Sequence, residues 1–214
     1  MNFDPRLYLC TDRGLLAGRG LVEALEAAVA GGVTLVQLRE KEAPTRQFYE
    51  IGREVRAATT RLGVPLIVND RADIALAIGA DGLHVGQSDL PVAQARRIMG
   101  AGAIIGCSAK TVEQAGEAVA AGADYIGTGP VFTTDTKLDA GNAVGLARLA
   151  EVAAAVDVPV VGIGGIDQAN AAQVLRAGAA GASVISAILG AEDIEQAARA
   201  VREAVEDGLR ARTD

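Results

Sequence analysis

Gln37-Leu38-Arg39-Glu40-Lys41 closes a run that reads as a β-strand. Alternate side chains of a strand share a face, so Gln37, Arg39 and Lys41 point one way while Val36 and Leu38 point the other. An amide and two cations on one inward face are costly to bury unless something anionic arrives to pair with them. The plainer reading is a solvated strand end, with Arg39 and Lys41 paired to Glu40 or Glu42. It is the weaker of the two, because the polar face points inward. Lysine is scarce here: the chain has seventeen arginines but only Lys41, Lys110 and Lys137, and each follows a strand-like run. Arginine carries the ordinary surface charge, so these three positions read as places that need a compact ammonium able to reach one phosphate or ring atom.

Carboxylates stand beside these cations in the chain order. Asn69-Asp70 ends a third strand-like run and Gln87-Ser88-Asp89 follows a fourth. Taken singly, each Asp reads equally well as the N-cap of a following helix, and Pro91 fits the start of one. Together, at the mouths of adjacent strands, Asp70 and Asp89 could share Mg²⁺, which takes one or two carboxylates plus waters and phosphate oxygens. Gly106-Cys107-Ser108 ends a fifth strand, and Thr111 with Gln114 forms a capping-box pattern after it. Ser108 alone reads as an ordinary turn hydroxyl. The long loop from Gly129 to Lys137 holds Thr133, Thr134, Asp135 and Thr136, and reads as a lid over an anion. Gly162-Ile163-Gly164-Gly165-Ile166 and Ile185-Ser186 follow the last two strands, where backbone N–H groups often bind phosphate. His84, the only histidine, sits within a strand and reads as a hydrogen-bonded core residue. No Ser-His-Asp or Cys-His pattern is visible, so the site reads as one that holds charge more than it moves protons.

The elements that must position these residues alternate along the whole chain. Strand candidates fall at 6–10, 34–38, 65–68, 82–85, 103–106, 125–127, 158–163 and 182–185, with Ala-rich helical spacing between them. Eight such units, about 27 residues each (214/8), predict a single α/β domain over 1–214: a (β/α)₈ TIM barrel. A weak repeat supports the count: Ala30-Gly31-Gly32, Gly79-Ala80-Asp81, Gly122-Ala123-Asp124 and Gly178-Ala179-Ala180 each precede a strand, their glycines placed to end a helix. An open doubly wound sheet is the rival, but no G-x-G-x-x-G follows the first strand. Half the residues are hydrophobic and only 3% aromatic, as suits a buried parallel sheet. A net charge of −7 argues against nucleic acid or an anionic membrane as the main partner and leaves small molecules. Cys10 and Cys107 follow no metal or redox spacing and read as free thiols. Without a signal-peptide pattern at the start or a run long enough to span a bilayer, the expected compartment is the cytoplasm.

The motifs together resemble the thiamine-phosphate synthases. The resemblance runs from Leu7 to about Leu189. Its most specific parts are 37–41, Asn69-Asp70-Arg71, His84-Val85-Gly86-Gln87-Ser88-Asp89-Leu90, Gly127-Thr128-Gly129-Pro130-Val131-Phe132 with Thr134, Thr136 and Lys137, and Gly162 to Ile166. It implies a small (β/α)₈ barrel that joins 4-amino-2-methyl-5-hydroxymethylpyrimidine diphosphate to a thiazole phosphate, giving thiamine phosphate and pyrophosphate. By motif, Gln37, Leu38, Arg39, Glu40, Lys41, Asn69, Ser108 and Lys137 would hold the pyrimidine diphosphate, with Arg39, Lys41, Ser108 and Lys137 acting in catalysis. Asp70 and Asp89 would hold Mg²⁺. Thr134, Asp135, Thr136, Gly165, Ile185 and Ser186 would hold the thiazole phosphate. One departure stands out: the family usually has a His two residues after the fifth-strand serine, and this chain has Lys110. A related thiazole tautomerase and a non-catalytic barrel that binds a phosphorylated ligand are the alternative functions. The oligomeric state stays open, a homodimer included.

Overall fold

The computed structural model describes residues 3–134 and 142–212. Eight parallel strands close into a barrel in sequence order: β1 (Leu7–Cys10), β2 (Leu35–Leu38), β3 (Leu66–Asn69), β4 (Gly82–Val85), β5 (Ile104–Ser108), β6 (Tyr125–Thr128), β7 (Val160–Ile163) and β8 (Gly181–Val184). The helices between and after them are α1 (Leu21–Ala30), α2 (Thr45–Leu62), α3 (Ala72–Ile78), α4 (Val92–Met99), α5 (Val112–Ala120), α6 (Gly145–Ala155), α7 (Ala171–Arg176), α8 (Ser186–Leu189) and α9 (Ile194–Arg210). Every expected strand is present, most shifted by one or two residues. One shift bears on the site: β5 runs on to Ser108, which is therefore a strand residue and not a turn hydroxyl.

Both faces of each strand are buried, which is why the strands read as nearly continuous apolar runs. Outward residues such as Leu9, Val36, Val68, Leu83 and Ile126 pack against the helices. Inward, Tyr8, Leu35, Ile67, Ile104, Tyr125 and Val161 fill the lower barrel, with Phe3 against them. Glycine makes this possible at one point. A Cβ on Gly106 would lie 2.1 Å from the Tyr125 ring, so only glycine leaves room for that ring. Stepping the strand register around the closed barrel places Gln37, His84, Gly127 and Ser183, from alternate strands, in one inward layer. The next layer toward the C-terminal mouth is Cys10, Asn69, Ser108 and Ile163, by the same stepping.

The internal repeat has a physical basis beyond helix termination. Asp81 Oδ2 accepts from Leu66 N at 2.8 Å and from the Arg56 guanidinium. Asp124 Oδ2 does the same with Ile105 N at 2.7 Å and with Arg96. Each Asp thereby ties the start of one strand to the start of its neighbour and to a helix. Gly79, Gly122 and Gly178 take positive φ as expected, but at the first copy Gly31 is right-handed and Gly32 takes the positive φ instead. A Cβ on Gly31 would lie 2.3 Å from the carbonyl of Glu195, so its role is close approach to α9.

Candidate active site

A cavity of about 920 Å³ opens at the C-terminal mouth of the barrel. Its inner end is a hydrogen-bonded chain that crosses the barrel. Gln37 Nε2 donates to the Tyr8 hydroxyl at 2.7 Å. The Tyr8 and Tyr125 hydroxyls lie 2.8 Å apart, and Tyr125 Oη lies 2.9 Å from His84 Nδ1. His84 Nε2 in turn lies 2.9 Å from Ser108 Oγ. Burial pushes the Tyr8 and Tyr125 phenols well above their ordinary range, so both stay protonated hydrogen-bond partners. His84 is thus the hydrogen-bonded histidine expected, and it also faces the pocket.

Tyr8 and Tyr125 escaped the reading of the sequence. Scarcity was the signal, as for lysine: the chain has three tyrosines, and two of them face the barrel interior. Gly127 is the other half of this arrangement. A Cβ there would meet nothing nearer than His84 Cε1 at 3.2 Å, so its missing side chain widens the pocket above the Tyr8–Tyr125 pair.

The charged groups gather at the mouth. Gln37, Arg39 and Lys41 all line the cavity. Gln37 does so from the inward face of β2, and Arg39 and Lys41 from the loop that follows the strand's end at Leu38, where the alternation expected over 37–41 no longer applies. Leu38 points outward into the core against the helices, and Glu40 accepts from Arg13 Nε at 2.8 Å; neither side chain lines the pocket. Asn69, Asp70, Asp89, Ser108 and Lys110 all do. Lys41 Nζ donates to Asp70 Oδ2 at 2.9 Å. Burial pushes the Asp70 carboxyl up, against the opposing pull of Lys41, and the neighbouring Asp89 carboxyl adds to the rise.

The capping alternative for these two aspartates does not hold. Arg71 and Pro91 precede α3 and α4, and neither helix has a side-chain cap. Asp70 sits at φ +61, a left-handed conformation that Asp and Asn tolerate better than most residues, and its carboxylate turns to Lys41. Asp89 Oδ2 accepts from Gly86 N at 2.8 Å, within its own loop. After β5 the capping box is displaced: Thr111 accepts from Gln114 N, while Gln114 Oε1 accepts from Lys110 N at 2.8 Å.

On the opposite rim, the loops after β6 and β7 are knitted together. Val131 N donates to Ile163 O at 2.8 Å and Phe132 N to Gly164 O at 3.0 Å. Gly164 and Gly165 both take positive φ, and a Cβ on Gly165 would lie 2.7 Å from Thr133 O. Thr134, Gly165, Ile185 and Ser186 line this side of the cavity. Asp135, Thr136 and Lys137 lie outside the described residues. Among the described residues, no three His, Cys, Asp or Glu side chains form a metal cluster. A cation here would need oxygens from a ligand to complete its shell, as Mg²⁺ commonly does.

Comparison with known proteins agrees with the geometry. Residues 7–188 match the family model described as thiamine monophosphate synthase. The thiamine-phosphate synthase of Chloroflexus aurantiacus is 54% identical over 93% of this chain and 92% of its own. That of Clostridium novyi is 53% identical over 93% of this chain and 98% of its own. Among solved structures, thiamine phosphate pyrophosphorylase from Pyrococcus furiosus superposes with a TM-score of 0.87 at 43% identity, covering 96% of this chain and 98% of that one.

Proposed function

The chain belongs to the thiamine monophosphate synthase family, and from that premise we propose how its pocket carries out the family's transfer. It is a transferase that condenses the pyrimidine diphosphate with the thiazole phosphate and releases pyrophosphate. In the proposed course, the bond between the pyrimidine methylene carbon and the diphosphate oxygen breaks first, and its electron pair leaves with pyrophosphate. The ring's amino group stabilises the methylene cation. The thiazole nitrogen then gives its lone pair to that carbon. No proton need be moved for the bond exchange, so the enzyme's task is electrostatic preorganisation and proximity.

The observation that carries this reading is the convergence of Arg39, Lys41, Asn69, Asp70, Asp89 and Ser108 on one side of a single cavity. Arg39, Lys41, Asn69 and Ser108 would hold the diphosphate, with Lys137 supplied from the β6 loop. The paired carboxylates of Asp70 and Asp89 suit a hard divalent cation, and they are the residues that would hold Mg²⁺. Bound there, Mg²⁺ supplies Lewis-acid stabilisation of the leaving diphosphate. Lys41 neutralises Asp70 in the geometry described above and is also within the diphosphate side of the pocket. Thr134, Gly165, Ile185 and Ser186 line the opposite side and would hold the thiazole phosphate through hydroxyls and backbone N–H groups, joined on motif grounds alone by Asp135 and Thr136. Small-molecule substrates fit such a pocket, and no helix among the described residues is long and apolar enough to cross a membrane. A coupled assay for pyrophosphate, with each substrate omitted in turn, tests the reading. Isomerisation of the thiazole phosphate alone would favour the tautomerase, and binding without pyrophosphate release would favour a non-catalytic barrel.

A further inference from the structure

We propose that Ser183 reads the amino-bearing edge of the pyrimidine ring, as a specificity residue at the inner end of the pocket; the inference rests on the synthase reading above. Ser183 faces the barrel interior from β8, lines the cavity and is only 3% exposed. Its Oγ makes no hydrogen bond with any described residue. A buried hydroxyl without a partner is destabilising, and alanine would satisfy the same backbone without that cost. Thr128 Oγ1 shares the property, but its alternation with Tyr125 turns it toward the helices and away from the cavity.

The layer that holds Ser183 explains what would use it. Gln37, His84 and Gly127 share that layer, directly above the Tyr8–Tyr125 pair. Gln37 is engaged with Tyr8, and His84 is engaged with Tyr125 and Ser108. Gly127 presents no side chain. The layer is therefore polar on three sides and open on the fourth, which suits a flat heterocycle with hydrogen-bonding edges. Of the two substrates, only the aminopyrimidine has such edges to spare: an exocyclic amine donor and ring-nitrogen acceptors. The thiazole has a single nitrogen, and that atom must face the methylene carbon. A serine hydroxyl both donates and accepts, so it can meet an edge where donor and acceptor alternate.

The test is calorimetric binding to full-length wild type and Ser183→Ala, with melting temperature recorded for both. The ligands are the pyrimidine diphosphate, its analogue lacking the 4-amino group, inorganic pyrophosphate and the thiazole phosphate. The expected result is about tenfold weaker binding of the pyrimidine diphosphate, the loss of one neutral hydrogen bond. The analogue should weaken less, so discrimination between the two should shrink in Ser183→Ala. Pyrophosphate and thiazole phosphate affinities should stay unchanged, and the melting temperature should hold or rise. Unchanged discrimination, a loss confined to thiazole phosphate, or a lowered melting temperature would overturn the assignment of Ser183. Wild-type protein that binds the pyrimidine diphosphate no better than pyrophosphate would instead overturn the pyrimidine-site reading on which it rests.

Discussion

His84 Nε2 lies 2.9 Å from Ser108 Oγ, so the single histidine of the chain is held by a hydroxyl on the neighbouring strand. Its other ring nitrogen is held by Tyr125, and the whole chain back to Gln37 is buried or nearly so. Such a network fixes ring orientations at the inner end of the pocket before any substrate arrives.

This coupling is measurable. Tyr8→Phe and Tyr125→Phe each remove one side of the same hydroxyl–hydroxyl contact. Each should destabilise by about 1–3 kcal/mol, because a buried partner loses its bond. The double variant should lose less than the sum, with a coupling of at least about 0.5 kcal/mol in urea denaturation. Strict additivity would mean that the two hydroxyls do not act together.

A second expectation concerns the rim. Gly165 sits at φ +64, with Thr133 O placed where a Cβ would intrude. Gly165→Ala should displace the joined β6 and β7 loops and raise KM for the thiazole phosphate by about tenfold or more, a loss of roughly 1.4 kcal/mol. KM for the pyrimidine diphosphate should barely change. Equal weakening of both substrates would remove Gly165 from the thiazole phosphate side.

Lys137 carries a third expectation, on sequence grounds. An ammonium that meets leaving oxygens acts mainly as charge develops, so Lys137→Ala should lower kcat by about 10²–10³ with little change in thiazole phosphate KM. Lys137→Arg should rescue only in part, since a planar fork replaces a point charge. Near wild-type turnover of Lys137→Ala would exclude it from the site.

Cys107 gives a pH-dependent expectation. Burial pushes its thiol up to about 11 from an ordinary 9.0, and the Asp89 charge adds to the rise. At pH 8 the thiolate fraction is on the order of 10⁻³, so alkylation of folded protein should be slow. The folded state holds the thiol proton between pH 9.0 and about 11 while the unfolded chain releases it. Stability contributed by this group is therefore full below pH 9 and falls as pH rises toward 11. Rapid Cys107 alkylation at pH 8 without unfolding would contradict the assignment.

Much of this architecture is legible in the residues. Alternation separates Gln37 from Leu38, because the period of a strand is fixed by covalent geometry, whereas Arg39 and Lys41 lie past the end of β2 and reach the pocket from its loop. The repeat and the strand count specify closure, because each unit is short and self-similar. What escapes is long-range. Asp70 and Asp89 have the composition of caps, and only the left-handed turn at Asp70 and the loop bond from Gly86 to Asp89 show otherwise. Tyr8 and Tyr125 are 117 residues apart, and only barrel closure brings them together. Ser183 looks like any small strand residue until the register puts it in a layer with Gln37 and His84.

Synthesis with a cation held by Asp70 and Asp89 is tested most directly by pyrophosphate release from both substrates, with chelator and then with Mg²⁺ restored. Asp70→Asn and Asp89→Asn are suitable variants. Asn tolerates the left-handed conformation at 70, and its carbonyl can still accept from Gly86 N at 89. Chelator should abolish release in the wild type and Mg²⁺ should restore it, while each variant should lose most turnover at nearly unchanged melting temperature. Full synthesis by the double Asn variant in chelator, at an unchanged melting temperature, would contradict it.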